Sequence, residues 1–406
     1  MTRTASGFTA RDLLDLEGRY AAHNYHPLPV VLSRGAGAHV WDVDGRRYLD
    51  CLAAYSAVNQ GHNHPRIVAA LIEQAQRLAL TSRAFHNDRF GPFCQQLCAL
   101  VGYDKALLMN TGAEAVETAI KAARRWGYRH KGVPADAAEI VVFDGNFHGR
   151  TTTIVGFSSD AEARSGYGPF APGFRSVAYG DLDAAAAAMN DRTVAVLVEP
   201  IQGEGGVVIP PDGFLPGLRA LCDRHGALLV CDEIQSGLGR AGAMLCHRDA
   251  GVRADAVLLG KALSGGLYPV SAFLCDDAVM QVFTPGSHGS TYGGNPLACA
   301  VGAAALDVLV DEDLCARSRA LGARFVERLR AAAPPRVREL RARGLWIGVE
   351  LQPDAGGARR CCEQLLAAGI LCKDTHGHTV RIAPPLVVSA DDLDAAADAL
   401  VQVLRG

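Results

Sequence analysis

Ala256-Val-Leu-Leu-Gly-Lys-Ala-Leu-Ser-Gly-Gly266 carries four apolar residues into a glycine, a single lysine and a glycine-rich, otherwise uncharged loop. A short apolar run bounded by glycines reads as a buried strand, and Lys261 stands where that strand ends. A free ε-amine has a pKa of about 10.4 and is protonated at neutral pH, so a nucleophilic lysine must be desolvated or captured as an imine. The segment alone leaves two readings open: a Schiff-base lysine, or an ordinary surface lysine after a strand.

Runs of the same kind lie upstream at Ala106–Met109, Ile140–Phe143, Val194–Val198 and Ala227–Cys231. Between them lie helical spacings, such as Ile67, Val68, Leu71, Ile72, Ala75 and Leu78, or Val116, Ala119, Ile120, Ala123 and Trp126. Alternation of buried strands with amphipathic helices implies an α/β fold with a mostly parallel sheet. Beyond about residue 300 the texture becomes Ala/Arg/Leu-rich helix broken by two strand-like runs, Leu345–Leu351 and Thr379–Ile382. The expected organisation is therefore an N-terminal segment (1–50) contributing to a small domain, a large domain (51–300) and a C-terminal α+β small domain (301–406).

In an open α/β sheet the ligand crevice lies beyond the carboxyl ends of the strands. The unusual polar clusters all follow strands: Asn110-Thr-Gly112, Asp144 to Arg150, Glu199 to Glu204, Asp232-Glu-Ile-Gln235 and Lys261. That placement points to one active site.

A charged fraction of 20%, a hydrophobic fraction of 49% and a net charge of −3 give no basic footprint for nucleic acid and no disordered character. Small molecules are the expected partners. No apolar run reaches membrane-spanning length. The N-terminal stretch lacks the apolar core of a signal peptide, and the twelve cysteines contain no Cys-x-x-Cys pair. The expectation is a cytoplasmic protein with reduced thiols, in which Cys231 and Cys246 serve as small buried apolar residues.

Thr111-Gly-Ala-Glu114 has the capping-box spacing just before a helix-periodic stretch. It reads as a helix cap, and the free N–H groups of a helix start could also hold a phosphate. Asp232 closes a buried run and needs a cationic partner. It could cap a helix or pair with a basic side chain, or, facing a pyridine nitrogen, keep that ring protonated as an electron sink. Gln235 could then meet a ring hydroxyl and Phe147 stack on the ring. Gly237-Leu-Gly-Arg-Ala-Gly242, with Asp255 downstream, competes as a dinucleotide fingerprint, although polar residues separate it from its strand and little room is left for a helix. His62-Asn-His64 lacks further ligands, so no metal site is expected. A non-catalytic binding protein on the same fold is the remaining rival.

Asn110-Thr-Gly-Ala-Glu-Ala115, Gly145-Asn-Phe-His-Gly-Arg150, Val198-Glu-Pro-Ile-Gln-Gly-Glu204, Asp232-Glu-Ile-Gln-Ser-Gly237 and Leu259 to Gly266 together resemble the class III pyridoxal-phosphate aminotransferases over nearly the whole chain. The resemblance implies a fold type I architecture and a homodimer with active sites at the subunit interface. It implies Lys261 as the Schiff-base lysine, Asp232 at the pyridine nitrogen, and Thr111, Gly112 and Ala113 at the phosphate of pyridoxal 5'-phosphate. Phe147 would stack on the ring, Gln235 would meet its hydroxyl, and Ser290 and Thr291 would serve the phosphate, Thr291 from the partner subunit.

His23-Asn-Tyr-His-Pro-Leu-Pro-Val30, Tyr55 to His62, Thr81 to Phe85, Leu267 to Ser271 and Thr375 to Pro385 narrow the resemblance to the ornithine-specific δ-aminotransferase branch of that class. This implies Tyr25 at the substrate α-amino group, Arg150 at its α-carboxylate, and Arg381 holding the carboxylate in the 2-oxoglutarate/glutamate half-reaction. Glu204 would mask Arg381 while ornithine is bound, and Tyr55 and Glu199 would line the pocket. N-acetylornithine, 4-aminobutyrate and lysine remain alternative amines. His148 departs from the tryptophan of animal members, and Gly205 from a common alanine.

Overall fold

The structure is a computed structural model that describes residues 7–405. Residues 1–6 of the N-terminal segment and residue 406 of the C-terminal one lie outside the described residues. A seven-stranded sheet forms the centre, in the spatial order Lys105–Met109, Ser271–Cys275, Ala256–Leu259, Leu228–Asp232, Thr193–Val198, Glu139–Phe143, Phe174–Val177. All five apolar runs of the large domain lie on these strands. Four further neighbour pairs from Ala256–Leu259 to Phe174–Val177 are parallel, while Ser271–Cys275 runs antiparallel to both of its neighbours.

The sheet is covered on both faces, which is why its central strands read as continuous apolar runs rather than alternating ones. Ile140, Val142, Leu197, Val230 and Leu258 pack against Ala115, Val116, Ala119 and Ile120 of the helix Gly112–Trp126. Their neighbours along the chain, Val141, Phe143, Val196, Val198, Leu229 and Cys231, face the other way onto Phe214, Leu218 and Cys222 of the helix Phe214–His225. Period-two side-chain alternation thus fills two separate cores from one set of strands.

Two smaller sheets flank this body. Leu32–Ala36, His39–Asp42 and Arg47–Asp50 form an antiparallel ribbon whose last strand pairs in parallel with Ile370–Leu371. Val337–Ala342, Ile347–Leu351, Thr379–Ile382 and Lys373–Thr375 form the second, antiparallel throughout. N- and C-terminal residues therefore share one sheet. The border expected at residue 300 falls inside the unbroken helix Pro296–Asp311, which packs on Pro65–Arg77.

Candidate active site

The carboxyl ends of the central strands open onto a cavity of about 180 Å³ lined by Gly112, Ala113, Phe147, His148, Glu199, Asp232, Gln235 and Lys261, among others. Lys261 follows Leu259 and Gly260 and opens a single 3₁₀ turn with a φ of +43°. A side-chain-bearing residue in that left-handed region costs roughly 1–2 kcal/mol, a strain the surrounding packing must hold. Burial depresses the Lys261 amine below its ordinary value, against the raising pull of Glu204, Asp232 and Glu199.

Thr111 caps the helix Gly112–Trp126 as its spacing predicts: its Oγ1 accepts from the Glu114 N–H at 3.2 Å, and its own N–H donates to Glu114 Oε2 at 2.7 Å. The Thr111 carbonyl is held by the Ser271 hydroxyl at 2.7 Å, and Asn110 donates to Ser290 Oγ at 2.9 Å. Ser290 thus lies beside the cap, whereas the adjoining Thr291 is exposed.

Asp232 is buried, and its two oxygens have separate partners: the Ile234 N–H at 3.0 Å on Oδ1 and His148 Nδ1 at 2.6 Å on Oδ2. Burial alone would depress the imidazole, but the bond to Asp232 and its charge outweigh that and hold His148 above its ordinary value. The backbone of the preceding residue is pinned as well, the Phe147 N–H donating to Glu199 Oε2 at 3.0 Å. Burial pushes Glu199 up to about 7 even with His148 nearby.

These residues fit pyridoxal phosphate. A capped helix start supplies free N–H groups for the phosphate, Asp232 lines the cavity with one oxygen bound to the His148 ring, and Lys261 opens into it. Glycines keep the space clear: a Cβ on Gly203 would lie 2.1 Å from Gln235 Oε1 and one on Gly149 2.8 Å from the Ala113 Cβ.

On the substrate side, Arg381 is 3% exposed and donates to Glu204 Oε1 at 2.7 Å. Its guanidinium lies over the Tyr55 ring, 5.2 Å from the centroid. Arg150, exposed, lies over the Phe147 ring at 5.5 Å and lines a cavity of about 300 Å³ together with Glu204 and His148. Tyr25, 69% exposed, borders a separate apolar cavity of about 540 Å³ with Tyr55. Of the expected site residues, Gly112, Ala113, Phe147, Glu199, Asp232, Gln235 and Lys261 line one cavity; Arg150 and Glu204 line the next, which shares Phe147 and His148 with it; Arg381 reaches Glu204 from the small-domain strand Thr379–Ile382; Thr291 is exposed, and Tyr25 and Tyr55 border the separate cavity.

The competing motifs have other uses. The loop Gly237–Gly242 opens no helix beyond the four residues Cys246–Asp249. Gly239 and Gly242 have φ of +88° and +86°, and a Cβ on either would meet Leu386 at 2.8 Å or Arg319 at 2.6 Å. Arg240 is fully buried and donates to the carbonyls of Leu345 and Pro384 and to Asn59 Oδ1, so the loop ties the small domain to the large one. Asp255 is taken by Arg219 at 2.6 Å and by the Leu229 N–H at 2.7 Å. His62 binds Asp50 at 2.7 Å and His64 binds Glu312 at 2.9 Å. Cys231 and Cys246 are buried, and burial pushes both thiols well above their ordinary range.

Two features of the site were not foreseen from sequence. One is the His148–Asp232 bond, for which a ring type following Phe147 was the available signal. The other is the conformation of Ala53–Ser56, whose four residues have φ between +46° and +70° and form a left-handed turn carrying Tyr55. No glycine announces it.

The model of the class-III aminotransferases matches residues 20–404. The chain is 58% identical to the ornithine aminotransferase of Bordetella pertussis over 400 residues, covering 98% of this chain and 97% of that protein. It superposes with a TM-score of 0.96 and 45% identity on an ornithine aminotransferase from Toxoplasma gondii whose active site holds pyridoxal phosphate at partial occupancy, covering 98% and 94% of the two chains. An acetylornithine aminotransferase from Elizabethkingia anophelis matches at a TM-score of 0.89 and 43% identity, with 98% and 99% covered. With the lysine, the aspartate–histidine pair and the capped helix start around one cavity, and with matches of this extent, the chain belongs to the class-III aminotransferase family.

Proposed function

We propose that the chain is an L-ornithine:2-oxoglutarate δ-aminotransferase using pyridoxal 5'-phosphate, yielding glutamate and glutamate 5-semialdehyde, which cyclises to pyrroline-5-carboxylate. The observation that carries the ornithine reading is the Arg381–Glu204 ion pair over Tyr55. The two half-reactions bring different molecules to one site: a diamino acid whose far end is an amine, then a dicarboxylate. A bare buried arginine would draw the α-carboxylate of ornithine and present the wrong amine for transfer. Glu204 neutralises Arg381 while ornithine is bound, and an incoming dicarboxylate displaces it.

When bound, pyridoxal 5'-phosphate supplies the carbonyl carbon that accepts the amine and a ring that takes up electrons. The chain's residues do the rest. Asp232, backed by His148, would hold the ring nitrogen's proton, and Lys261 Nζ, depressed by burial, would take the proton from the substrate carbon bearing the transferred amine. Arg150 binds the α-carboxylate and Tyr25 the α-amino group, so that the δ-amine faces Lys261. Support for Tyr25 in this role is its place beside Tyr55.

The active unit in this reading is a homodimer with shared sites. It is supported by the exposure of Thr291 and of the large aromatic side chains Phe85 and Tyr292. Cytoplasmic residence is supported by twelve free cysteines and is checked by cell fractionation.

The test is a half-reaction. Purified protein loaded with cofactor is mixed separately with ornithine, N-acetylornithine, 4-aminobutyrate and lysine while the cofactor's absorbance is followed. Rapid bleaching by ornithine with an o-aminobenzaldehyde-reactive product is expected. Preferential bleaching by another of the amines would move the substrate and overturn the ornithine reading.

A further inference from the structure

The left-handed turn Ala53–Ser56 is a conformation that alanine, tyrosine and serine do not adopt unaided. Something must hold it. Asp50 does so from the end of its strand: its Oδ1 accepts the N–H of Leu52 at 2.8 Å and of Ala53 at 2.9 Å, at the entrance to the turn. Its other oxygen, Oδ2, is bound by His62 Nε2 at 2.7 Å. His62 is itself fixed, exchanging two backbone hydrogen bonds with Gly37 across an isolated bridge. At the same entry end, the Cys51 carbonyl accepts the Ala383 N–H at 2.7 Å, which ties this segment to the end of the strand bearing Arg381. The turn delivers the Tyr55 ring beneath the Arg381 guanidinium, whose Nε has no hydrogen-bond partner among the described residues.

We propose that Asp50 and His62 are positioning residues for the dicarboxylate half-reaction: they hold the left-handed turn that sets Tyr55 under Arg381, and so set the geometry in which Arg381 exchanges Glu204 for the distal carboxylate of a 2-oxo dicarboxylic acid. The proposal rests on the reading of Arg381 given above. Both border the cavity of Tyr25 and Tyr55, and their side-chain hydrogen bonds go to the turn and to each other, not to Arg381 or Glu204. A cation over an aromatic face is steered by the ring's placement, so loosening the turn lets the guanidinium settle differently against Glu204. The ornithine half-reaction, in which Arg381 stays masked, depends on Arg150 and Tyr25 and is expected to be spared.

The experiment uses cofactor-loaded His62→Ala, with Asp50→Asn as a second variant that keeps the size of the side chain and alters its pairing with His62. Each half-reaction is measured by single-turnover absorbance, with ornithine on one form and 2-oxoglutarate on the other. The apparent KM for 2-oxoglutarate is expected to rise about tenfold, with the ornithine half-reaction within about twofold of the parent. Adding Ala54→Gly to His62→Ala should recover part of the loss, because glycine enters the left-handed region without an external anchor at one of the turn's four positions. Equal losses in both half-reactions, no loss in either folded variant, or no recovery with Ala54→Gly would each overturn the proposal. A parent protein that fails to turn over ornithine would instead overturn the underlying reading, and the two failures are separate.

Discussion

Lys261 at the end of a buried strand left two readings open, and the motifs elsewhere in the chain decided for chemistry; its strained backbone was not legible, since nothing in Gly-Lys-Ala-Leu announces a φ of +43°. Lys261→Ala should reduce ornithine-dependent glutamate formation by about 10⁴-fold and remove the absorbance of the lysine-linked cofactor. An unaltered cofactor spectrum in that variant would refute the assignment. Glu199 shows what sequence could not supply: a carboxyl adjoining a strand end is visible, but its burial beside Asp232 is a property of the fold. Its value is raised from 4.5 to about 7, so the folded state binds its proton more tightly than the unfolded chain does. That contribution is full below about pH 4.5 and is lost as pH rises through 7. Glu199→Gln, neutral at every pH, should therefore stabilise the cofactor-free protein by roughly 3 kcal/mol at pH 8 and far less at pH 5.5. Urea unfolding at the two pH values measures this, and an equal effect at both would show that Glu199 is not held protonated by the fold.

At the scale of elements, the buried parallel strands declared themselves, while an exposed edge strand and a buried antiparallel one did not. Thr193–Val198 is buried at all six positions and reads as one apolar run, whereas Phe174–Val177 is an edge strand with two exposed residues and was missed. Ser271–Cys275 was also missed as a strand; it follows a proline-bearing loop, and its antiparallel direction is set by pairing between Lys105–Met109 and Ala256–Leu259. The turn Ala53–Ser56 escaped for a different reason: local preference favours a right-handed helix for Ala-Ala-Tyr-Ser, and it is overridden by side-chain-to-backbone bonds from Asp50, itself fixed by His62, and by the long-range bond from Ala383 to Cys51. The segment between helix Ala10–Tyr20 and strand Leu32–Ala36 has no regular structure, yet it brings Tyr25 to the cavity shared with Tyr55. If its hydroxyl binds the α-amino group, Tyr25→Phe should lower kcat/KM for ornithine about tenfold, the value of one charge-assisted hydrogen bond. 4-Aminobutyrate has no α-amino group and should change less than about twofold. Comparison of the two substrates in the same preparation checks this, and equal losses would place Tyr25 outside the substrate's reach.

At the scale of the whole molecule, the single chain gathers the lysine, the aspartate and the helix start but leaves Thr291 exposed. Its neighbour Ser290 is anchored to Asn110 beside the cap, so the loop is held firmly at the edge of the site while its next residue stands free. A dimer in which each subunit lends Thr291 to the other's phosphate uses both facts, and it can be tested by complementation. Lys261→Ala removes the amine from a subunit's own site, and Thr291→Asp would place a negative charge against the phosphate in the partner's. Each homodimer should be nearly inactive. In a mixed dimer, the site built from the intact Lys261 of one subunit and the intact Thr291 of the other is complete, while the second site carries both lesions. Random reassortment of equal amounts makes about half of the dimers mixed, with one working site in two, so the activity should return to about a quarter of the parent's. Activity no greater than the sum of the two homodimers after subunit exchange, verified by a mass tag on one chain, would mean that each site is built from one subunit alone.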